Sequence, residues 1–290
     1  TGTVPFVSAS VPECVLASGS VVHTSGYRSA REAIASGSRI AVVGSGQSAA
    51  EVFADLLGSL GPDQHLEWVT RSPRFFPLEY TKLTLEMTSP EYIDHFHGLP
   101  QGTRDALSAR QKGLYKGINA DLIDEIHEML YRRQVSGHTP VTLRAATSLE
   151  GLGHRDGALQ LHLRNQDDGG GFDTVADTLV LATGYAYREP AFLADLGARI
   201  NRLPDGRLDV DRGYAVSDDA DVLVQNAELH THGFTAPDLG MGAYRNSVII
   251  NRILGHEHYA VEKCIGFQSF GSPAPGSPAP LSPTLEGAHA

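Results

Sequence analysis

Cysteine is scarce in this chain: Cys14 and Cys264 stand alone among 290 residues. Two thiols so far apart in sequence make neither a disulfide framework nor the close pair that thiol redox chemistry needs. They read as reduced thiols of a cytoplasmic protein, with Cys264 structural. Long apolar runs are also missing. None approaches the ~18 residues of a membrane span, and no basic-then-apolar signal segment opens the chain, so no membrane partner is expected. Positive charge is the minority, with 23 Lys and Arg against 34 Asp and Glu and a formal charge of −11 with His neutral. That balance argues against nucleic acid and anionic lipid as partners. Metal-ligand spacing is absent too: His230 and His232 would share one face of a strand, but no third ligand is near, so no metal site is expected. What remains is an ordinary globular mixture, 41% hydrophobic and 20% charged, long enough for one large or two smaller domains.

The clearest pattern begins at Arg39-Ile40-Ala41-Val42-Val43, a short β-branched run suited to a buried parallel strand. It runs into Gly44-Ser45-Gly46-Gln47-Ser48-Ala49. Ala50, Val52, Phe53, Leu56, Leu57 and Leu60 then recur at helical steps until Gly61-Pro62. A second strand, Leu66 to Thr70, leads into Arg71. This order predicts a βαβ unit in an α/β fold. Gly44 permits the tight turn, Gly46 lets backbone approach a pyrophosphate, and the small Ala49 lets the helix pack on the strand. The phosphates would sit at the uncapped helix start. The second strand ends in Arg71 rather than an acidic residue, which points to a 2′-phosphate and hence NADPH. Ser48 follows the loop without the strained elbow of a nucleophile, so it reads as a phosphate or helix-start hydrogen-bonding group. No catalytic nucleophile is expected.

Further on, the aromatic-rich residues 75–100 carry turn signals at Ser89-Pro90 and Gly98-Leu99-Pro100, with His95 and His97 on a loop. Residues 120–133 read as an amphipathic helix. Strands are expected at 141–143, at 158–163, at 177–185 and at 222–226, with a hairpin turn over 165–171. A closing helix is expected over 244–254. From Gly271 the Gly-Ser-Pro-Ala composition predicts a disordered tail, 271–290.

Three segments carry a resemblance to a known family. Leu181-Ala182-Thr183-Gly184-Tyr185 ends a buried strand downstream of the Gly loop. The block from Val224-Gln225-Asn226 through Leu229-His230-Thr231-His232-Gly233 continues into Pro237-Asp238-Leu239-Gly240 and Tyr244-Arg245-Asn246. The opening Thr1-Gly2-Thr3-Val4-Pro5-Phe6 looks like an earlier crossing of the same fold. Together they resemble the N-hydroxylating flavin monooxygenases of siderophore biosynthesis, closer to the lysine/diamine branch than to the ornithine branch. The resemblance covers about residues 1–270. It implies FAD and NADPH as cofactors. It also implies an amine substrate (lysine, cadaverine, putrescine or ornithine) and O2, with oxygen transferred to the terminal nitrogen. Thr183, Gly184, Tyr185, His232, Pro237, Asp238, Leu239 and Gly240 would line the flavin. Lys82 and Tyr115, from the Phe75–Lys82 block and the Tyr115-Lys116-Gly117 segment, would face the amine together with Asp238. Asp238 reads equally as a turn residue after Pro237.

The expected architecture is a Rossmann-like NADPH-binding domain inserted in a partial FAD-binding domain, a two-dinucleotide-binding flavoprotein fold. Residues 1–35 would be a remnant of the FAD domain, 36–180 the NADPH domain, 181–270 a FAD- and substrate-side segment, and 271–290 the tail. The sequence has one strand–Gly-x-Gly–helix unit, since Gly151-Leu152-Gly153 and Gly169-Gly170-Gly171 precede no helical pattern. With Thr1 in place of Met, this reads as truncation at the amino end. A homo-oligomer, or a partner supplying the missing half, is left open. The competing readings are another flavoprotein reductase, disfavoured by the lack of a Cys pair, and an inactive or partner-requiring NADPH-binding fragment.

Overall fold

The computed structural model describes residues 2–9, 11–137, 140–219 and 221–272. The expected tail, apart from Gly271 and Ser272, lies outside them. The chain divides into two compact units, one of residues 3–78 and 116–188, the other of residues 1–2, 79–115 and 189–290.

The strands of the first unit are β1 (Thr3–Pro5), β2 (Val21–His23), β3 (Arg39–Val43), β4 (His65–Val69), β5 (Val141–Arg144), β6 (Thr147–Arg155), β7 (Ala158–Asn165), β8 (Gly171–Ala176), β9 (Thr178–Leu181) and β10 (Tyr185–Tyr187). A five-stranded parallel sheet has the order β2-β9-β3-β4-β5. Side-chain alternation sorts its residues onto two faces. Ile40, Val42, Leu66, Trp68 and Val180 face helices Tyr27–Ala35, Gln47–Ser59 and Ala120–Val135. Ala41, Val43, Val69, Leu179 and Leu181 face the antiparallel sheet β6-β7-β8, which contributes Leu152, Leu159, Leu161 and Leu163. Burial on both faces is why the parallel strands read as continuous apolar runs and β7 reads as alternating.

Several expectations change. Within residues 1–35, β2 and helix Tyr27–Ala35 extend the parallel sheet and its helical layer. The compact unit of residues 3–78 and 116–188 includes these elements. The predicted strand 177–185 is two strands, broken where Gly184 turns at φ +82°. The hairpin at 165–171 forms as expected between β7 and β8.

The second unit contains no sheet among its described residues. Helix Pro90–His97 packs Tyr92 and Phe96 against Leu114 and Phe234, and Ile200, Leu208, Val210 and Val216 form a separate core. Ser89-Pro90 is therefore a helix start and not a turn. The Ser89 hydroxyl accepts the Tyr92 N–H at 3.3 Å and Pro90 occupies the first turn, a favoured pairing of cap and proline. His95 and His97 lie on this helix rather than on a loop. The expected strand 222–226 reduces to one bridge, Ala215 to Leu223. His230 and His232 sit on the single-turn helix Leu229–His232 instead of a strand. The closing helix runs Gly242–Leu254. No helix among the described residues is long and apolar enough to cross a membrane.

Candidate functional site

The Gly loop joins β3 to helix Gln47–Ser59. Its start is fixed, because the Gly44 N–H donates to the Val69 carbonyl at 3.0 Å and the Gly44 carbonyl accepts the Trp68 indole N–H at 2.9 Å. Gly44 passes so close to the end of β9 that an added Cβ would stand 2.7 Å from the Ala182 Cβ and 2.8 Å from its carbonyl carbon. Gly46 is different. Its φ of −109° and ψ of −175° suit any residue, and a Cβ there would meet nothing within 4 Å. The space above Gly46 is open, and no side chain caps the helix that starts beside it. Ala49 is fully buried below. Tight backbone contact at the first Gly, clearance at the second and an uncapped helix start form a cradle with the geometry a pyrophosphate needs.

The loop borders a cleft of about 380 Å³ whose lining includes Gly44, Ser45, Arg71, Lys116, Thr183 and Tyr185. Arg71 reaches it from a firmly held turn. The flanking Thr70 donates its N–H to the Arg144 carbonyl and accepts from the Thr147 N–H, each at 2.8 Å. Arg74, the other arginine here, lies over the Phe76 ring at 4.4 Å. Gln47 faces elsewhere: its side-chain oxygen accepts the Asn119 N–H at 2.8 Å, and its amide nitrogen donates to Glu51 at 3.0 Å. The Gln47 side chain thus ties the loop to the cap of helix Ala120–Val135. Ser48 lines a second cleft, of about 350 Å³, with Thr24, Tyr27, Arg28, Glu51 and Tyr185. There Tyr27 donates to Asp55 at 2.6 Å, and Arg31 binds the same carboxylate at 2.6 and 2.9 Å. Burial, then that bond to Asp55, pushes the Tyr27 phenol far above its usual range.

Thr183 and Gly184 make the turn from β9 into Tyr185, the first residue of β10. Thr183 donates its hydroxyl to the Phe6 carbonyl, the Phe6 N–H returns to the Gly184 carbonyl at 2.9 Å, and β1 pairs antiparallel with β10. His23 Nε2 donates to the Gly184 carbonyl at 2.9 Å and its ring meets Tyr185 edge-on at 5.3 Å. The segments read from sequence as two crossings thus pair with each other.

The remaining expected site residues lie in the second unit. Lys82 opens the short helix Lys82–Leu85 with its side chain exposed. Tyr115 is half-buried against the Tyr92–Phe96–Phe234 cluster, and burial raises its phenol. His232 is fully buried, stacked on Tyr214 at 4.6 Å with its Nδ1 2.9 Å from the Thr231 hydroxyl. Burial, with His97 nearby, pushes His232 down to about 3, so the ring is neutral. Asp238 accepts the Met241 N–H at 3.1 Å and so closes the turn before helix Gly242–Leu254. Pro237, Leu239 and Gly240 are exposed beside it. Sequence reasoning missed the buried pair Arg245–Glu228, 3.3 Å apart. Nothing in the pattern marks it, because the partners are 17 positions apart on unrelated elements.

Known proteins match this chain in sequence and fold. The family described as L-lysine 6-monooxygenase/L-ornithine 5-monooxygenase matches residues 1–187. The putrescine N-hydroxylase of Shewanella oneidensis is 41% identical over 271 residues, covering 93% of this chain and 54% of that protein. The FAD-bound cadaverine monooxygenase DfoA of Erwinia amylovora, from a desferrioxamine biosynthetic pathway, superposes with a TM-score of 0.86 at 46% identity, covering 91% of this chain and 62% of that one. The Kutzneria sp. 744 ornithine N-hydroxylase KtzI, solved with reduced FAD, NADP+ and L-ornithine, shares the fold with a TM-score of 0.77 at 24% identity, covering 88% of this chain and 62% of that one. The chain spans about half the length of the curated relatives it matches, 54% for the first of these. With an α/β fold, a parallel sheet and this sequence match, the chain belongs to the L-lysine 6-monooxygenase/L-ornithine 5-monooxygenase family of flavin N-hydroxylases.

Proposed function

We propose that this protein takes part in the FAD- and NADPH-dependent N-hydroxylation of a diamine, putrescine or cadaverine, for hydroxamate siderophore biosynthesis. The observation that carries the reading is the Gly44–Ala49 cradle opening beside the Arg71 cleft, in a chain of this family. The names of the putrescine and cadaverine enzymes support a diamine over lysine or ornithine.

In this reading the backbone N–H groups of Ser45, Gly46 and Gln47 hold the pyrophosphate, Ser48 stands at the helix start, and the Arg71 guanidinium holds the 2′-phosphate. Residues 36–180 supply the nucleotide domain. The part of residues 1–35 outside β2 and helix Tyr27–Ala35, together with residues 181–270, supplies the flavin side, with Thr183, Gly184, Tyr185, His232, Pro237, Leu239 and Gly240 beside the ring. Lys82, Tyr115 and Asp238 face the amine. FAD, when bound and reduced, supplies the oxygen activation. The chain's own task is to bind, orient and keep water out, and no side chain serves as a nucleophile. His232, held neutral by burial, adds no positive charge to repel the amine.

Incubating the purified protein with FAD, NADPH, O2 and each of putrescine, cadaverine, lysine and ornithine tests the reading. Product mass identifies the amine hydroxylated. A diamine hydroxylamine is expected; product from lysine or ornithine alone overturns the substrate, and none from any amine overturns the activity. A second reading, a nucleotide-binding protein that does not hold FAD by itself, is favoured by one observation. Among the described residues a single strand–Gly-x-Gly–helix unit occurs. Protein that binds NADPH but stays colourless with FAD would establish it.

A further inference from the structure

Acidic side chains outnumber basic ones in this chain, 34 to 23, yet the cleft that begins at the Gly loop carries the opposite sign. Arg71 and Lys116 both line it, beside Gly44, Ser45, Thr147 and Ser148, and none of the described residues in its lining is acidic. The other cleft differs in that respect, because Glu51 and Asp55 stand in its lining with Arg28 and Arg31. Two cations with no carboxylate in the lining make the first cleft a place for an anion.

Lys116 comes to the cleft from a short segment whose backbone is fixed residue by residue. Gly117 lies so close to the chain at Pro77 and Leu78 that an added Cβ would stand 2.9 Å from the Leu78 nitrogen and 3.0 Å from the Pro77 carbonyl carbon. Ile118, fully buried, donates its N–H to the Phe76 carbonyl at 2.8 Å and accepts the Leu78 N–H at 2.9 Å. The Asn119 N–H goes to the Gln47 side-chain oxygen at 2.8 Å, so the last tie is to the helix that the Gly loop opens. Lys116 itself is exposed, at the start of this anchored run. Its root therefore keeps a set position relative to the loop and to Arg71, while its flexible stem lets the ammonium adjust to a ligand.

A 2′-phosphate is a monoester with a charge of about −1.5 to −2 near neutral pH. The Arg71 guanidinium matches two of its oxygens but brings a single positive charge, which leaves the phosphate undercompensated. A pyrophosphate makes no such demand, because the backbone N–H groups at a helix start serve it. We propose that Lys116 is a specificity-determining residue for the nucleotide, supplying the second positive charge at the 2′-phosphate of NADPH beside Arg71. The inference rests on the NADPH-binding part of the function proposed above. It takes Lys116 from the amine side, where the family resemblance set the 115–117 segment, to the nucleotide.

Calorimetric titration of the purified protein with NADPH and with NADH tests it, using Lys116→Met, Lys116→Arg and the double variant of Lys116→Met with Arg71→Ala. Lys116→Met, at an exposed position, should melt like the wild type, bind NADPH about tenfold more weakly and bind NADH unchanged. Lys116→Arg should keep most of the affinity for NADPH, and the double variant should bind NADPH no better than NADH. As pH falls through about 6 the 2′-phosphate takes up a proton, so wild-type affinity for NADPH should fall and that of Lys116→Met should fall less. An equal loss for both nucleotides, or wild-type NADPH affinity in Lys116→Met, would overturn the inference. So would FAD-loaded Lys116→Met in which only the KM for the amine changes. A wild type that hydroxylates no amine but keeps this Lys116-dependent preference for NADPH would overturn the proposed activity and leave the inference standing.

Discussion

Adding one methyl group at each glycine of the Gly44–Gly46 loop should produce two different failures. In Gly44→Ala the new Cβ stands 2.7 Å from the Ala182 Cβ and 2.8 Å from the Ala182 carbonyl carbon. The atoms in its way are largely backbone, held in the sheet by the Ala182 N–H to the Val43 carbonyl at 2.7 Å, so they cannot swing aside. Overpacking of this kind costs about 1–3 kcal/mol. For a unit of residues 3–78 and 116–188, at roughly 2–4 °C per kcal/mol, the melting temperature should fall by about 6 °C. In Gly46→Ala the Cβ meets nothing, and the backbone angles suit alanine. Only the weaker capping propensity of alanine remains, about 1 kcal/mol or less. That same Cβ enters the space through which backbone reaches a pyrophosphate. Losing one charge-assisted hydrogen bond there, about 1.5–3 kcal/mol, weakens NADPH binding roughly 10- to 100-fold. Thermal unfolding and calorimetric titration of both variants separate the effects. Wild-type NADPH affinity in Gly46→Ala, or a wild-type melting temperature in Gly44→Ala, would refute the reasoning.

Arg71→Ala should weaken NADPH binding about 10- to 100-fold and leave NADH binding unchanged, because only the 2′-phosphate partner is lost; equal losses for both nucleotides, by titration, would remove Arg71 from that role. His232 gives a pH dependence. Its folded value of about 3 lies below the ordinary 6.5, so between those values the unfolded chain binds a proton that the folded chain refuses. Its contribution is present above pH 6.5 and declines as pH falls toward 3, by at most roughly 1.4 kcal/mol per pH unit. Denaturant melts of the wild type and of His232→Asn across this range should show a flatter acid limb in the variant.

The parallel-sheet unit was largely legible because its signals are local. Continuous apolar strands, a Gly loop and a helical repeat lie within residues 39–71, and each local preference agrees with the final packing. Strand β6 escaped notice because Gly151 and Gly153 break its alternation, and its pairing shifts register between Leu149 and Gly151. Helix Pro90–His97 escaped because Ser89-Pro90 signals both a turn and a helix start, and only packing of Tyr92 and Phe96 decides between them. Of the site, the close packing at Gly44 and the open space at Gly46 were readable from the motif. Gln47 was not: only the fold brings the Asn119 N–H to its side chain. The Arg245–Glu228 pair and the β1–β10 ribbon join residues distant in sequence, which periodicity does not report.

The central claim, oxygen transfer from O2 to a diamine nitrogen, is tested most directly by running the FAD-supplemented reaction with NADPH and cadaverine under isotopically labelled O2. The account predicts a hydroxylamine that carries the label, formed only when NADPH is present. A product without the label, or NADPH consumption with no hydroxylated amine, would contradict it.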